Sequence, residues 1–162
     1  MRKADFLTML NALSGFLSIY HILLANYNAA CIFMLLSVVF DYMDGFVAKK
    51  GKPTALGKQL DSLSDIISFG VAPALFCIVF LVESEYPLLS PLPGLLILAG
   101  IYRLARYNIT DQSKKFIGMP ITMNGLIVPF LHFTHMTNYL IIFVYIILSS
   151  CLMVSRIRIK RR

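Results

Sequence analysis

Acidic residues and cysteines are scarce in this sequence, and each scarcity narrows the classes of protein that it can encode. The chain has 162 residues, with eight aspartates and glutamates against fifteen lysines and arginines. The basic residues cluster between apolar runs, which is not the spread expected of a nucleic-acid surface. The three cysteines lie in three different apolar runs without disulfide or metal-ligand spacing, so we interpret them as reduced, buried residues. The sequence has neither internal repeats nor low-complexity segments.

Apolar residues, in contrast, are abundant. They make up 58% of the chain, and the mean hydropathy is +0.76, which indicates an integral membrane protein. Six apolar stretches are evident: 6–25, 29–48, 60–82, 87–107, 119–134 and 137–155. Most have about the 20 residues that a membrane-spanning helix needs. We therefore predict an all-α, polytopic membrane protein with six transmembrane helices and a single domain over residues 1–162.

The distribution of positive charge predicts the orientation in the membrane. When the six spans are threaded in order, all fifteen lysines and arginines fall on the same side. Because positive loops remain in the cytoplasm, both termini are predicted to be cytoplasmic, and a cell-membrane location is expected. An odd number of spans would scatter the charges over both sides, so the charge pattern supports six spans independently.

Half of the acidic residues belong to one short pattern. It reads Asp41-x-x-Asp44-Gly45-x-x-Ala48, followed by Gly57-x-x-x-Asp61-x-x-x-Asp65. On helices, spacings of three and four place each aspartate pair on one face. A carboxylate at membrane depth costs about 2.5–3.5 kcal/mol, so four together require a compensating cation. A helical hairpin would gather them near the cytoplasmic interface as a site for a hard cation such as Mg²⁺, Mn²⁺ or Ca²⁺.

This pattern resembles the signature of the CDP-alcohol phosphatidyltransferases, Asp-x-x-Asp-Gly-x-x-Ala-Arg followed by Gly-x-x-x-Asp-x-x-x-Asp. The four aspartates, both glycines and the alanine match in order. Two departures occur: Lys49 stands at the arginine position, and the spacer before Gly57 is one residue shorter. Lys50 is a second candidate for the arginine's role.

The resemblance implies a chemistry for the aspartates. In the family, CDP-diacylglycerol transfers its phosphatidyl group to an alcohol and CMP is released. The implied cofactor is Mg²⁺ or Mn²⁺, as two ions, with Asp41, Asp44, Asp61 and Asp65 as ligands. Asp65, the last aspartate of the motif, is also the implied base that takes the proton from the attacking hydroxyl. Two divalent ions would nearly neutralise four carboxylates.

The small residues of the motif are implied to make room for the nucleotide. The implied nucleotide-binding residues are Gly45, Ala48, Lys49, Gly57, Thr8 and Asn11. Two simpler interpretations remain open. The small residues could serve only for close helix packing, and the polar residues of the first span could serve only for hydrogen bonds between helices.

Three further segments resemble the phosphatidylserine synthase branch of the family, in particular the compact synthases of Gram-positive bacteria. They are Asp61–Pro73 (DSLSDIISFGVAP), Arg103–Asn108 (RLARYN) and Phe116–Ile121 (FIGMPI). The resemblance extends from about Thr8 to Ser155 and implies L-serine as the acceptor. It also implies a homodimer among membrane phospholipids, with no nucleic-acid partner.

Serine carries a carboxylate, for which arginine is a suitable partner because its guanidinium can form two parallel hydrogen bonds. Arg103 and Arg106 are three residues apart and therefore expected on one helix face, and Asn108 is a candidate for the serine amino group. Alternatively, the two arginines could simply anchor the helix among phospholipid headgroups.

Other functions remain open from the sequence. Another acceptor, such as glycerol 3-phosphate or an inositol phosphate, would need more positive charge in the acceptor pocket. A divalent-cation transporter would also carry intramembrane aspartates, but it would need polar groups along a whole path. A purely structural membrane subunit would give no account of four clustered charges.

Overall fold

A computed structural model describes residues 3–48, 54–84, 86–109, 116–155 and 158–159. Over these residues the chain is built almost entirely from helices, as the apolar stretches predict. Helices α1 (Lys3–Leu23) and α2 (Tyr27–Ala48) form an antiparallel hairpin. Its tight turn contains Ala25 with φ 54°, and the Asn26 side chain accepts a hydrogen bond from the Ala29 amide at 3.2 Å.

The third apolar stretch forms one continuous helix of 29 residues, Ala55–Glu83. It comprises α3 (Ala55–Asp65), a π-helical segment (Ile66–Val71) and α4 (Ala72–Glu83). The helix begins five residues before the predicted 60–82 span. Thr54 sets this start, because its side chain accepts a hydrogen bond from the Gly57 amide at 3.2 Å and caps the first turn. The hydropathy pattern did not predict these first residues of the helix because some of them are polar.

Helix α5 (Gly94–Ile109) follows a short 3₁₀ turn at Pro87–Leu89. Beyond it, strand β1 (Phe116–Ile117) pairs antiparallel with β2 (Arg158–Ile159). These short strands lie beyond the ends of α5 and α7, so they tie together the chain segments that follow these two helices. A two-residue ladder carries too little periodicity to be predicted from sequence.

The last two helices are shorter. Helix α6 (Asn124–Phe133) follows a 3₁₀ turn at Ile121–Met123, and α7 (Tyr139–Val154) is capped by Asn138. Four helical segments of the described chain are long and apolar enough to cross a membrane, and Ile121–Phe133 and Tyr139–Val154 are shorter apolar helices. The all-α, polytopic architecture predicted from the sequence is therefore confirmed.

A buried asparagine joins three of these segments. Asn124 is fully buried, and its Nδ2 donates to the main-chain oxygen of Phe69 at 3.1 Å. Its Oδ1 accepts from the hydroxyls of Tyr145 at 3.0 Å and Ser149 at 2.7 Å. Pro73 has no N–H to donate to the Phe69 carbonyl four residues earlier, so the asparagine supplies a donor that the helix lacks.

Candidate active site

The end of α2 and the middle of α3 place three acidic side chains around one point. Asp41 and Asp44 lie near the end of α2, and Asp61 lies on α3. One carboxylate oxygen from each lies within 4.8 Å of the others, so these three residues, here called the acidic cluster, could hold a metal ion. Their oxygen-only donor set suits a hard divalent cation. Two unit charges 4 Å apart repel by roughly 4 kcal/mol at an effective dielectric constant of about 20, which a bound cation would relieve.

Asp65 lies one turn further along α3, next to the acidic cluster. Its side chain is 7% exposed, and its carboxylate interacts electrostatically with all three cluster carboxylates and with the guanidinium of Arg103. The Nδ2 of Asn11 donates to its Oδ1 at 3.4 Å. The four aspartates thus converge as their spacing predicts, but the fourth has distinct surroundings, with an amide and a guanidinium close by.

Helix α1 lies alongside this site and reaches it with side chains three residues apart. The hydroxyl of Thr8 donates to Oδ2 of Asp44 at 2.7 Å. Asn11, one turn later, contacts Asp65 as described above. Both residues were expected from the family resemblance to line a nucleotide pocket. In this structure each one contacts a motif aspartate directly.

Serine hydroxyls of α2, α3 and the π-helical segment donate hydrogen bonds to the backbone of α1. Ser64 donates to the main-chain oxygen of Thr8 at 3.0 Å. Ser68 and Ser37 donate to the main-chain oxygen of Asn11 at 2.9 and 3.4 Å. No role is predicted for these serines from the sequence, although small polar residues recurring in apolar spans are a known signal of helix contacts.

Two motif glycines have different surroundings. A Cβ placed on Gly45 would meet no atom of the described residues within 4 Å, so within this part of the chain the residue borders open space and not a packed helix. A Cβ on Gly57 would lie 3.1 Å from Oγ1 of Thr54 and 3.3 Å from Oδ1 of Asp5. The side chain of Ala48, and Lys49 with its neighbour Lys50, lie outside the described residues, so their predicted roles remain predictions.

The two arginines of α5 diverge despite their spacing. Arg103 is 7% exposed, interacts with Asp65, and its Nε has no hydrogen-bond partner among the described residues. The guanidinium of Arg106 instead donates to the main-chain oxygens of Val154 and Ser155, each at 3.1 Å. Arg106 therefore caps the end of α7, while Arg103 is the arginine beside the carboxylates.

Asn108, near the end of α5, contacts α3 with its side chain. Its Nδ2 donates to the hydroxyl of Ser62 at 2.9 Å, and its main-chain oxygen accepts from Nζ of Lys58 at 2.7 Å. Its Oδ1 is buried and has no partner within the described part of the chain. An unpaired donor on Arg103 and an unpaired acceptor on Asn108 thus occur on the same helix.

Together, fold and site define a polytopic helical membrane protein with a carboxylate cluster built into a hairpin of two of its apolar helices. Comparison with known families agrees with this class: the profile described as CDP-alcohol phosphatidyltransferase matches residues 1–158. The chain belongs to the CDP-alcohol phosphatidyltransferase family.

Curated relatives narrow the comparison. Archaetidylserine synthase of Methanothermobacter thermautotrophicus is 43% identical over 97% of this chain and 69% of its own length. The CDP-diacylglycerol–serine O-phosphatidyltransferase of Methanocaldococcus jannaschii is 40% identical over 96% of this chain and 72% of its own. The enzyme of the same name from Bacillus subtilis is 34% identical over 94% of this chain and 86% of its own. The resemblance to the serine branch is thus confirmed, with higher identity to these two archaeal relatives than to the Bacillus one.

Proposed function

We propose that this protein transfers the phosphatidyl group of CDP-diacylglycerol to the hydroxyl of L-serine, giving phosphatidylserine and CMP. The observation that carries this proposal is the convergence of Asp41, Asp44 and Asp61 in a chain whose curated relatives are serine phosphatidyltransferases. The diphosphate of the donor is a poor electrophile because its anionic oxygens repel a nucleophile.

The acidic cluster, with Asp65 as the proposed fourth ligand, would hold the divalent metal, proposed to be Mg²⁺ or Mn²⁺ as two ions. Bound there, the metal would supply positive charge that neutralises the diphosphate and orients the leaving phosphate. The protein contributes the fixed positions of the three carboxylates, and Thr8 restrains one of them by its hydrogen bond to Asp44.

Asp65 is the proposed general base. Serine's hydroxyl oxygen forms a bond to the phosphorus that carries the diacylglycerol, while its proton passes to the Asp65 carboxylate. The bond from this phosphorus to the oxygen bridging to CMP breaks, and CMP leaves with that oxygen. The contact of Asp65 with Asn11 and its interaction with Arg103 support a task beyond charge balance.

The acceptor pocket is proposed between α3 and α5. The unpaired Nε of Arg103 would donate to the serine carboxylate, and the unpaired Oδ1 of Asn108 would accept from its ammonium group. Arg106 is also proposed to bind serine, although its guanidinium already donates to the end of α7.

The nucleotide is proposed to lie by the open space beside Gly45, near Gly57 and Thr8, with Ala48 and Lys49 completing the pocket. We further propose that residues 1–162 form one catalytic domain in the cell membrane, with both termini and the site cytoplasmic. A homodimer is proposed on the family resemblance alone.

An acceptor screen tests the proposed function. Purified full-length protein is given CDP-diacylglycerol, Mg²⁺ or Mn²⁺, and either L-serine, glycerol 3-phosphate or an inositol phosphate. We expect CMP release and a serine-containing lipid only with serine. Running ester-linked and ether-linked donors in parallel shows which lipid backbone is accepted. Equal CMP release with another alcohol would contradict the serine assignment, and release with none would contradict transferase activity.

A further inference from the structure

Asn11 carries an unused hydrogen-bonding atom at the centre of the site. The side chain is 0% exposed, and its Oδ1 has no hydrogen-bond partner among the described residues. Leaving a buried acceptor unpaired costs about 1–3 kcal/mol. A group that donates to this oxygen when substrates are bound would remove that cost.

The contact with Asp65 fixes which end of the amide is unused. Nδ2 faces the Asp65 Oδ1 at 3.4 Å. Turning the amide over would set its oxygen against a carboxylate oxygen, and two acceptors without a proton between them repel. The amide oxygen of Asn11 is therefore the end of the side chain that is turned away from the Asp65 oxygen.

The backbone that carries this amide is held in place. The main-chain oxygen of Asn11 accepts from Ser68 at 2.9 Å and from Ser37 at 3.4 Å. One turn later, a Cβ on Gly15 would lie 2.7 Å from the Cα of Ser68, so the two helices touch at backbone level. Such support from surrounding groups lets a polar side chain hold one geometry before the substrate arrives.

We propose that Asn11 is a positioning residue for the acceptor, whose Nδ2 holds Asp65 and whose Oδ1 accepts one hydrogen bond from the acceptor's ammonium group, which has a further donor for Asn108. The inference rests on the proposed function, in which serine's hydroxyl lies at Asp65. Serine carries its ammonium and hydroxyl on adjacent carbons, so the ammonium then lies beside the amide that contacts Asp65. This assigns Asn11 to the acceptor and not to the nucleotide.

The test compares Asn11→Ala and Asn11→Ser with the parent in the full-length protein. The measurements are kcat and KM for L-serine, the Ki of 3-hydroxypropionate, which lacks the ammonium group, and the Kd of CMP. We expect the serine KM to rise and kcat to fall, by about ten- to a hundredfold in kcat/KM. The CMP Kd should stay within about twofold of the parent. The 3-hydroxypropionate Ki should rise less than the serine KM, because this compound loses only the positioning of Asp65 and has no ammonium contact to lose.

Ser18→Ala is the matched control, because it removes another fully buried polar group of α1 whose hydroxyl donates to the Ala30 main-chain oxygen at 2.9 Å. It should change none of these constants.

Three results would overturn the inference. They are a CMP Kd weakened as much as turnover, equal losses for serine and 3-hydroxypropionate, or an unchanged serine kcat/KM in a folded variant. If Asn11→Ala does not fold, the same comparison is made with Asn11→Ser. A parent protein that releases no CMP with serine would instead overturn the proposed function.

Discussion

Gly15 lies directly against Ser68, where α1 crosses the π-helical segment that follows Asp65. A Cβ on Gly15 would lie 2.3 Å from the Ser68 Oγ and 2.7 Å from its Cα, so only glycine fits without displacement of backbone. This contact and the hydrogen bond from Ser68 to the Asn11 carbonyl keep α1 close to Asp65. The absence of a side chain at Gly15 thus allows α1 to lie this close to the helix that carries Asp65.

Gly15→Ala should push α1 away from the acidic helices. Overpacking a well-packed contact typically costs about 1–3 kcal/mol, so we expect a lower unfolding temperature in detergent together with reduced turnover. Gly94→Ala is the control, because a Cβ there would meet no atom within 4 Å in the segments that the structure describes. Parent-like stability and activity in Gly15→Ala would show that α1 can shift freely.

Asp41→Asn, Asp44→Asn and Asp61→Asn should each reduce turnover to near background while the protein still enters the membrane. The reason is that each substitution removes one anionic oxygen ligand from the acidic cluster. Serine-dependent CMP release and membrane fractionation are the measurements. Glu83→Gln, at the other end of the same long helix as Asp61, removes a carboxylate away from the site and should remain active. Normal activity in any two of the three variants would rule out the metal site.

Removing divalent metal should stop the reaction. The acidic cluster offers only carboxylate oxygens, which are suitable ligands for Mg²⁺ and Mn²⁺. A bound ion would also relieve the repulsion between the three carboxylates. Activity after dialysis against a chelator should be at background and should return when either ion is added back. Full turnover in excess chelator would mean that the three carboxylates serve another purpose.

Asp65→Asn should separate binding from chemistry. The amide keeps the shape of the side chain but cannot take a proton from the serine hydroxyl, so kcat should fall while the Kd of CMP stays near that of the parent. Isothermal titration with CMP and single-turnover assays measure the two quantities. A matching loss in both would make Asp65 a simple metal ligand.

Arg103→Lys and Arg106→Lys are expected to have different effects, although the residues are three apart. Arg103→Lys keeps the charge beside Asp65 but loses the guanidinium geometry, so the serine KM should rise by about ten- to a hundredfold. Arg106→Lys loses paired hydrogen bonds to Val154 and Ser155, so its main effect should be lower stability, roughly 0.5–1.5 kcal/mol. Serine titrations and thermal unfolding of both variants check this. An unchanged serine KM in Arg103→Lys would return Arg103 to membrane anchoring.

The sequence predicted the helices and the gathering of the aspartates because both depend on short-range patterns. Apolar runs define spans, and spacings of three and four define helix faces. The same rule placed Arg103 and Arg106 on one face, yet their long side chains turn to different partners. Where a flexible side chain ends depends on neighbours distant in sequence, which spacing alone does not encode.

The contacts of α1 with the motif aspartates could not be predicted from the sequence, because they join residues that are distant along the chain. Thr8 and Asn11 were recognised only through family resemblance, which assigned both to the nucleotide. Their hydrogen bonds to Asp44 and Asp65 join residues 36 and 54 positions apart. The π-helical segment Ile66–Val71 was likewise not predicted, since its sequence is as apolar as that of an α-helix.

Pro73 and Asn124 have a consequence for how this sequence can vary. The proline withholds a donor from the Phe69 carbonyl, and the asparagine supplies one at 3.1 Å. An ordinary residue at position 73 could donate to this carbonyl from its own amide. Losing the asparagine alone would leave the carbonyl, and the hydroxyls of Tyr145 and Ser149, without their partner in an apolar interior. A substitution at position 124 should therefore be accepted only together with changes at position 73 and at the two hydroxyl positions, 145 and 149.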